Sequence, residues 1–256
     1  MQNRFLRGSG LHASIDPDSR VPGAYILSIG GAEQSHVDLK HPEHVFYEYL
    51  RRIANVVDLA GEPGQPLRSL HLGAGALTLA RYIQATRPGS EQHAVELERE
   101  LLDYVIDQLP LPEGTDLTVY IGDARQEVTF GDIDGEFDVV VLDVFAGEDA
   151  PEHLATGGFY SELLELLSPG GVLLVNVGDD PPLAFAKRQI SELSDCTPAV
   201  AVLGEAGMFT SRYAGNLVLA ARRDSWPEDW TQSVLAAGPH PAQVFTGAEL
   251  ESFVLA

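Results

Sequence analysis

From Leu67 onward the chain alternates short apolar runs with segments of helical spacing, and this alternation narrows the fold more than any other feature. LRSLHL is followed by GAG and the helical stretch ALTLARYIQATR, which Pro88-Gly89 stops. QHAVEL precedes ERELLDYVIDQL, which Pro110 stops, and then come LTVYIG and FDVVVLDVF. The last of these is apolar nearly throughout, as expected of a parallel strand covered on both faces. GFYSELLELL reads as a helix ended by SPGG, VLLVNV as a fifth strand and PLAFAKRQISEL as another helix. PAVAVL and NLVLAARR read as two closing strands. Strand alternating with helix means βαβ units with right-handed crossovers, here around a mostly parallel sheet of about seven strands. Ligands bind such sheets at the carboxyl ends of the strands, so the residues just after each strand are the ones to read for chemistry.

Upstream of this pattern, the residues to about Gly23 carry Gly, Ser, Asp and Pro and read as loosely ordered. AYILSIGGAEQSHVDL reads as two strands around Gly30-Gly31, a hairpin signal. Between Pro42 and Asp58, Val45, Phe46, Tyr49, Leu50, Ile53, Val56 and Val57 recur at helical spacing. GEPGQP then has the composition of a linker. These boundaries divide the chain into a short N-terminal β-hairpin and helix region, residues 1–60, and an α/β domain, residues 61–256.

Composition excludes several functions. The 256 residues hold 16 Lys and Arg against 38 Asp and Glu, a formal charge of −22, and the only lysines are Lys40 and Lys187. Nucleic-acid binding needs clustered basic residues to neutralise phosphates, so no nucleic-acid partner is expected. No apolar run approaches the roughly 18 residues of a membrane span, and MQNRFLRGSG lacks the apolar stretch of a signal peptide. The expected location is the cytoplasm, with no membrane partner. The single cysteine, Cys196, forms no internal disulfide and has no basic neighbour to activate it as a nucleophile. The negative surface would steer cationic substrates, and it equally serves solubility.

Three strand ends carry a nucleoside signal. Gly73-Ala74-Gly75 allows a tight turn and a close backbone approach at a helix N-terminus, although Thr78 stands where the dinucleotide fingerprint has a third glycine. Glu96 follows Gly75 by about twenty residues, the distance at which a carboxylate accepts from ribose hydroxyls. In Gly122-Asp123-Ala124, Asp123 can accept from an adenine amine, and it also suits a helix N-cap. Together these specify an adenosine site better than any one alone. Asp143, in VVLDVFAGEDAPEHL, sits where a group transferred from the nucleoside would emerge, and a carboxylate there can deprotonate an attacking amine. Glu148, Asp149 and Glu152 in the same loop read mainly as solvated charges.

These residues resemble the spermidine synthase (polyamine aminopropyltransferase) family, particularly its divergent branch in high-GC bacteria, over roughly residues 24–222. LHLGAGALTLARY stands at the family's glycine-rich nucleoside loop, implying Gly73 and Gly75. AVELE matches its ribose segment, implying Glu96, and GDA its adenine segment, implying Asp123 and Ala124. FDVVVLDVFAGEDAPEHL followed by GFY matches its active-site strand and loop, implying Asp143 as catalytic acid–base. The hairpin with Gln34 resembles the small N-terminal β-domain whose Gln contacts the nucleoside, and Tyr47 or Tyr49 corresponds to an active-site tyrosine. The implied fold is the class I methyltransferase-like Rossmann sheet. The implied reaction moves an aminopropyl group from decarboxylated S-adenosylmethionine to a small amine such as putrescine, releases methylthioadenosine and needs no metal. A dimer or larger assembly is also implied, though a shortened β-domain would remove that contact.

The departures keep two other readings open. Ala76 stands where the family has the acid that binds the donor's amine and repels the carboxylate of ordinary S-adenosylmethionine. A second family acid falls at Ala146, and GEAGMFTSRYAGN replaces a Pro-Ser-Gly segment, bringing Arg212 and Tyr213. A methyltransferase using ordinary S-adenosylmethionine fits Ala76, and an inward-pointing Arg212 would attract the donor's carboxylate. A non-catalytic nucleoside-binding paralogue fits the lost acids. Elsewhere, His36, His41 and His44 read as polar hairpin and helix-start residues rather than metal ligands. His71 reads as a hydrogen-bonded core side chain, and Trp226 and Trp230 as packing for a C-terminal extension or an oligomer contact against the sheet.

Overall fold

A computed structural model describes residues 3–144 and 151–256. Its N-terminal part is a four-stranded antiparallel sheet in sequence order, β1 (Arg4–Phe5), β2 (His12–Pro17), β3 (Ala24–Ile29) and β4 (Ala32–Asp38). Gly30 and Gly31, at φ +60° and +88°, make the expected β3–β4 hairpin turn. The first two dozen residues are not loosely ordered as expected: β1 and β2 extend the hairpin into a sheet. Leu6 and Ala13 bury completely beside Leu27, Val37, Leu101 and Tyr104. The Glu98 carboxylate accepts the backbone N–H groups of Gly8 and Ser9. Those partners lie some ninety residues away, so local composition carries no trace of them.

Helix α1 (Glu48–Val57) begins later than the periodicity predicts, because Tyr47 at its N-cap keeps an extended backbone. It buries Ile53, Val56 and Val57 in the layer that also holds Val139, Val141, Val218 and Ala220 of the large sheet. The chain continues as β5 (Arg68–Leu72), α2 (Thr78–Thr86), β6 (Glu91–Glu96), α3 (Arg99–Gln108), β7 (Asp116–Ile121), α4 (Ala124–Phe130) and β8 (Phe137–Leu142). After a short turn at Glu152–Leu154 come α5 (Gly157–Glu165), β9 (Leu167–Asp179), α6 (Ala184–Cys196), β10 (Ala199–Glu205) and β11 (Gly215–Arg222). The chain closes with α7 (Glu228–Ala237), β12 (Ala242–Thr246) and α8 (Gly247–Leu255).

The large sheet has eight strands in the order β12-β10-β11-β9-β8-β5-β6-β7. Strands β5 to β9 pair in parallel, and the β9–β11, β10–β11 and β10–β12 pairs are antiparallel. This is the α/β class expected, with one strand more than the seven read from sequence. The extra one, β12, pairs along β10 with only Val244 buried, so its pattern is too weak to mark it as a strand. SPGG does not end a helix; it opens β9. Apolar side chains fill both faces of the sheet, Leu70, Val140 and Leu173 on one and Val139, Val141 and Leu174 on the other.

The chain order reverses between β5 and β8, and there a crevice opens at the carboxyl ends of the strands. Register brings Leu72 beside Leu142 and Leu142 beside Val175, so Gly73, Asp143 and Asn176 emerge at one level. Trp230 packs in the core edge-on to Trp226, as expected. His71 is buried and bonded to Ser69 and Gln92, and burial holds it at about 4, hence neutral. His36 pairs with Asp18, and His41 stacks on His44. Among the described residues no three His, Cys, Asp or Glu come together as a ligand set, and no helix is long and apolar enough to cross a membrane.

Candidate active site

The glycine loop after β5 is shaped by its protein neighbours. Gly73 sits at φ +94°, and a Cβ there would lie 2.2 Å from the carbonyl oxygen of Asp143. Gly75, at φ +49°, would meet the hydroxyl of Ser35 at 2.8 Å. Ser35 Oγ also accepts the Ala76 N–H at 3.2 Å, and Thr78 donates to the backbone carbonyl of His36. The small N-terminal sheet is therefore docked directly on this loop. Thr78, which breaks the dinucleotide fingerprint, is one of the docking contacts.

Glu96 ends β6 beside the same loop. Its Oε2 accepts the Ala74 N–H at 3.2 Å and its Oε1 the Glu98 N–H at 2.9 Å. Burial pushes its carboxyl up, against the pull of those backbone donors. Each oxygen keeps a further lone pair for a ligand hydroxyl. Asp123 caps α4, accepting the N–H groups of Arg125 and Gln126 through Oδ1, while Oδ2 receives His153 Nε2 at 2.6 Å. Burial pushes this carboxyl up, but His153 and the cap donors outweigh it, and the net shift is downward. The cap therefore holds one oxygen of Asp123 and His153 the other. His153 escaped the sequence reading, and nothing in PEHL marks it.

Asp143 stands at the carboxyl end of β8, half-buried. Asn176 of β9 donates to its Oδ1 at 2.8 Å and Tyr49 of α1 to its Oδ2 at 3.3 Å. Desolvation drives the Asp143 carboxyl above its ordinary range, and the Asn176 and Tyr49 bonds oppose this. Of the two tyrosines singled out, Tyr49 therefore meets the carboxylate. Tyr47 lies parallel to it, ring centres 6.4 Å apart, and donates instead to Glu33. Burial, then Glu33, pushes the Tyr47 phenol up to about 12, so it stays a neutral donor at physiological pH.

Tyr49 and Asn176 line a cleft of about 530 Å³ that also exposes Gln34, Glu33, Glu48 and Glu205. Glu48 is paired with Arg52, whereas among the described residues Glu33 and Glu205 face the cleft without an ion pair. Three acids thus gather in the cleft lined by the two hydrogen-bond partners of Asp143, and sequence reasoning missed all three. It also missed Asn176 and Asn216, although an amide inside each of the apolar runs VLLVNV and NLVLAARR was a readable signal. Asn216 of β11 donates to Asn176 Oδ1 at 3.0 Å. Ala76 is buried, and Arg212 is exposed. Ala146, Glu148 and Asp149 lie outside the described residues. A separate cleft of about 570 Å³ beside Trp226 and Asp224 opens at the opposite end of the strands and touches none of these groups.

A glycine loop, two acids at adjacent strand ends and a cleft at the reversal of strand order sit on a methyltransferase-like α/β fold. Human methyltransferase-like protein 13, solved in complex with SAH, shares that fold at TM-score 0.55 and 17% identity, over 81% of this chain and 90% of that one. No family model matches the chain. A probable spermidine synthase from Corynebacterium glutamicum superposes at TM-score 0.85 with 27% identity, over 99% of this chain and 92% of that one. The polyamine aminopropyltransferase of Vibrio vulnificus is 29% identical over 135 residues, 52% of this chain and 44% of that relative. The chain therefore spans less than half the length of that curated relative. Both comparisons make the chain similar to members of the spermidine synthase family.

Proposed function

We propose that this protein is an aminopropyltransferase, transferring the aminopropyl group of decarboxylated S-adenosylmethionine to a small amine such as putrescine. The observation that carries the reading is Asp143, whose two hydrogen-bond partners, Tyr49 and Asn176, line a cleft edged by Glu33, Glu48 and Glu205. That acidic rim suits a cationic amine and offsets the family acids missing at Ala76 and Ala146. In this reading Glu96 holds the ribose, Asp123 and Ala124 the adenine, and Gln34, Gly73 and Gly75 the edges of the nucleoside.

Asp143, made more basic by burial, takes a proton from the acceptor ammonium and leaves a nucleophilic nitrogen lone pair. That lone pair attacks the aminopropyl carbon bound to the sulfonium. The C–N bond forms as the C–S bond breaks, and the sulfur keeps the bonding electrons as the neutral thioether methylthioadenosine. Positioning supplies much of the rate, because the leaving group is good. The second reading, methyl transfer from ordinary S-adenosylmethionine, is favoured by one observation: a buried alanine at position 76 offers no charge to repel the methionine carboxylate. The small-amine acceptor, a homodimer and a cytoplasmic location belong to the same proposal.

Calorimetric titration with the two donors separates the readings. Preference for the decarboxylated donor, with diamine turnover that falls about a thousandfold in Asp143→Asn while donor binding holds, supports aminopropyl transfer. Preference for ordinary S-adenosylmethionine transfers the assignment to methyl transfer. Binding of either donor without turnover of any amine points to the non-catalytic paralogue.

A further inference from the structure

The Asn176 amide has two unlike ends, and only one can face Asp143 at a time. A carbonyl turned toward the carboxylate would set acceptor against acceptor, whereas the NH2 end donates to it. Asn216 adds to the preference for the second. It lies diagonally across the antiparallel β9–β11 pair, where Val218 opposes Asn176 and Asn216 opposes Gly178. From there Asn216 Nδ2 donates to Asn176 Oδ1 at 3.0 Å, and Asn176 Nδ2 in turn donates to Asp143 Oδ1 at 2.8 Å. Asn176 is 6% exposed, so bulk water does not readily supply the competing donor.

We propose that Asn216 is a positioning residue for Asp143, acting through Asn176 by fixing which end of that amide meets the carboxylate. The proposal rests on the reading of Asp143 as the proton acceptor. From α1, Tyr49 donates to the other oxygen of Asp143; the other ionisable groups at the cleft are Glu33, Glu48, Glu205, Tyr47 and the guanidinium of Arg52. Asn216 lines the same cleft but is uncharged, so its removal changes no charge there, and its hydrogen-bonded route to Asp143 is the Asn176 amide.

The test follows the Asp143 carboxyl by carbon-13 NMR in the full chain, alongside the pH profile of kcat. Asn216→Ala frees the Asn176 amide to turn, so the Asp143 titration and the acid limb of kcat move up by roughly half to one pH unit. KM for the amine changes less than about twofold, because a positioning loss falls on kcat. Asn216→Ser, which keeps a hydroxyl donor, restores part of the shift and serves as the folded variant if alanine destabilises β11. In an Asn176→Ala background the same substitution adds nothing. An unmoved Asp143 titration in Asn216→Ala, or an equal shift in the Asn176→Ala background, overturns the proposal. Failure of the underlying reading looks different: the NMR titration shifts as expected while Asp143→Asn retains full turnover.

Discussion

Replacing Gly73 with alanine tests whether the glycine loop is dictated by its protein neighbours rather than by a ligand. At φ +94° an alanine is strained by about 1–3 kcal/mol. Its Cβ would sit 2.2 Å from the Asp143 carbonyl oxygen and 2.9 Å from the carbonyl carbon. Those are backbone atoms, so no side-chain rotation relieves the overlap, and overpacking of this kind costs about 1–3 kcal/mol. Pushing the Asp143 backbone aside also weakens the 2.9 Å bond from Asp143 N–H to Leu72 O, worth about 1 kcal/mol. The combined loss is about 5 kcal/mol, which lowers the melting temperature by roughly 10–20 °C. Gly75→Ala is the control. Its φ of +49° lies in the ordinary left-handed region, and its new Cβ meets only the rotatable Ser35 hydroxyl. About 1–2 kcal/mol is expected there. Urea and thermal melts of both variants, without ligand, give the comparison. A Gly73→Ala protein melting within about 3 °C of the parent, or a more damaged Gly75→Ala, would refute the steric argument.

Two further outcomes follow from buried polar groups. Arg81 is 1% exposed and ties the Ala76, Leu109 and Pro110 carbonyls together at 3.1, 2.6 and 2.7 Å. Burial pulls its guanidinium down to about 10, so it remains charged at pH 7. Arg81→Ala orphans three carbonyls and should cost about 3–5 kcal/mol in a urea melt, with little rescue by lysine, whose point charge cannot reproduce the fork. Asp123→Ala removes the α4 cap at a cost of about 1 kcal/mol near pH 7. Because the folded-state carboxyl lies below its ordinary 3.8, that stability is present above this value and is lost as pH falls through the lowered one. Melts of variant and parent should therefore converge in acid; a gap that stays constant to pH 2 would remove the ionic part of the argument.

The sequence by itself determined the parallel sheet and the position of the nucleoside signals along it. Both are local properties. Apolar runs of strand length, helices closed by Pro and Gly, and an acid or glycine immediately after a strand are written within a dozen residues of one another. The βαβ rule then puts Gly73, Glu96, Asp123 and Asp143 at one edge without reference to anything distant. The four-stranded N-terminal sheet was not legible in this way, because β1 and β2 depend on Leu101, Tyr104 and Glu98 for burial and hydrogen bonds. Nor was the company that Asp143 keeps. Tyr49 and Glu48 come from α1, Asn176 from β9, Glu33 from β4 and Glu205 from β10. Only packing of α1 on the large sheet and pairing of β9 with β8 bring Tyr49 and Asn176 within hydrogen-bonding reach of Asp143. Desolvation, which tunes the Asp143 carboxyl, depends on every atom around it. A local pattern can name the acid, but the tertiary structure decides what surrounds it and therefore how basic it is.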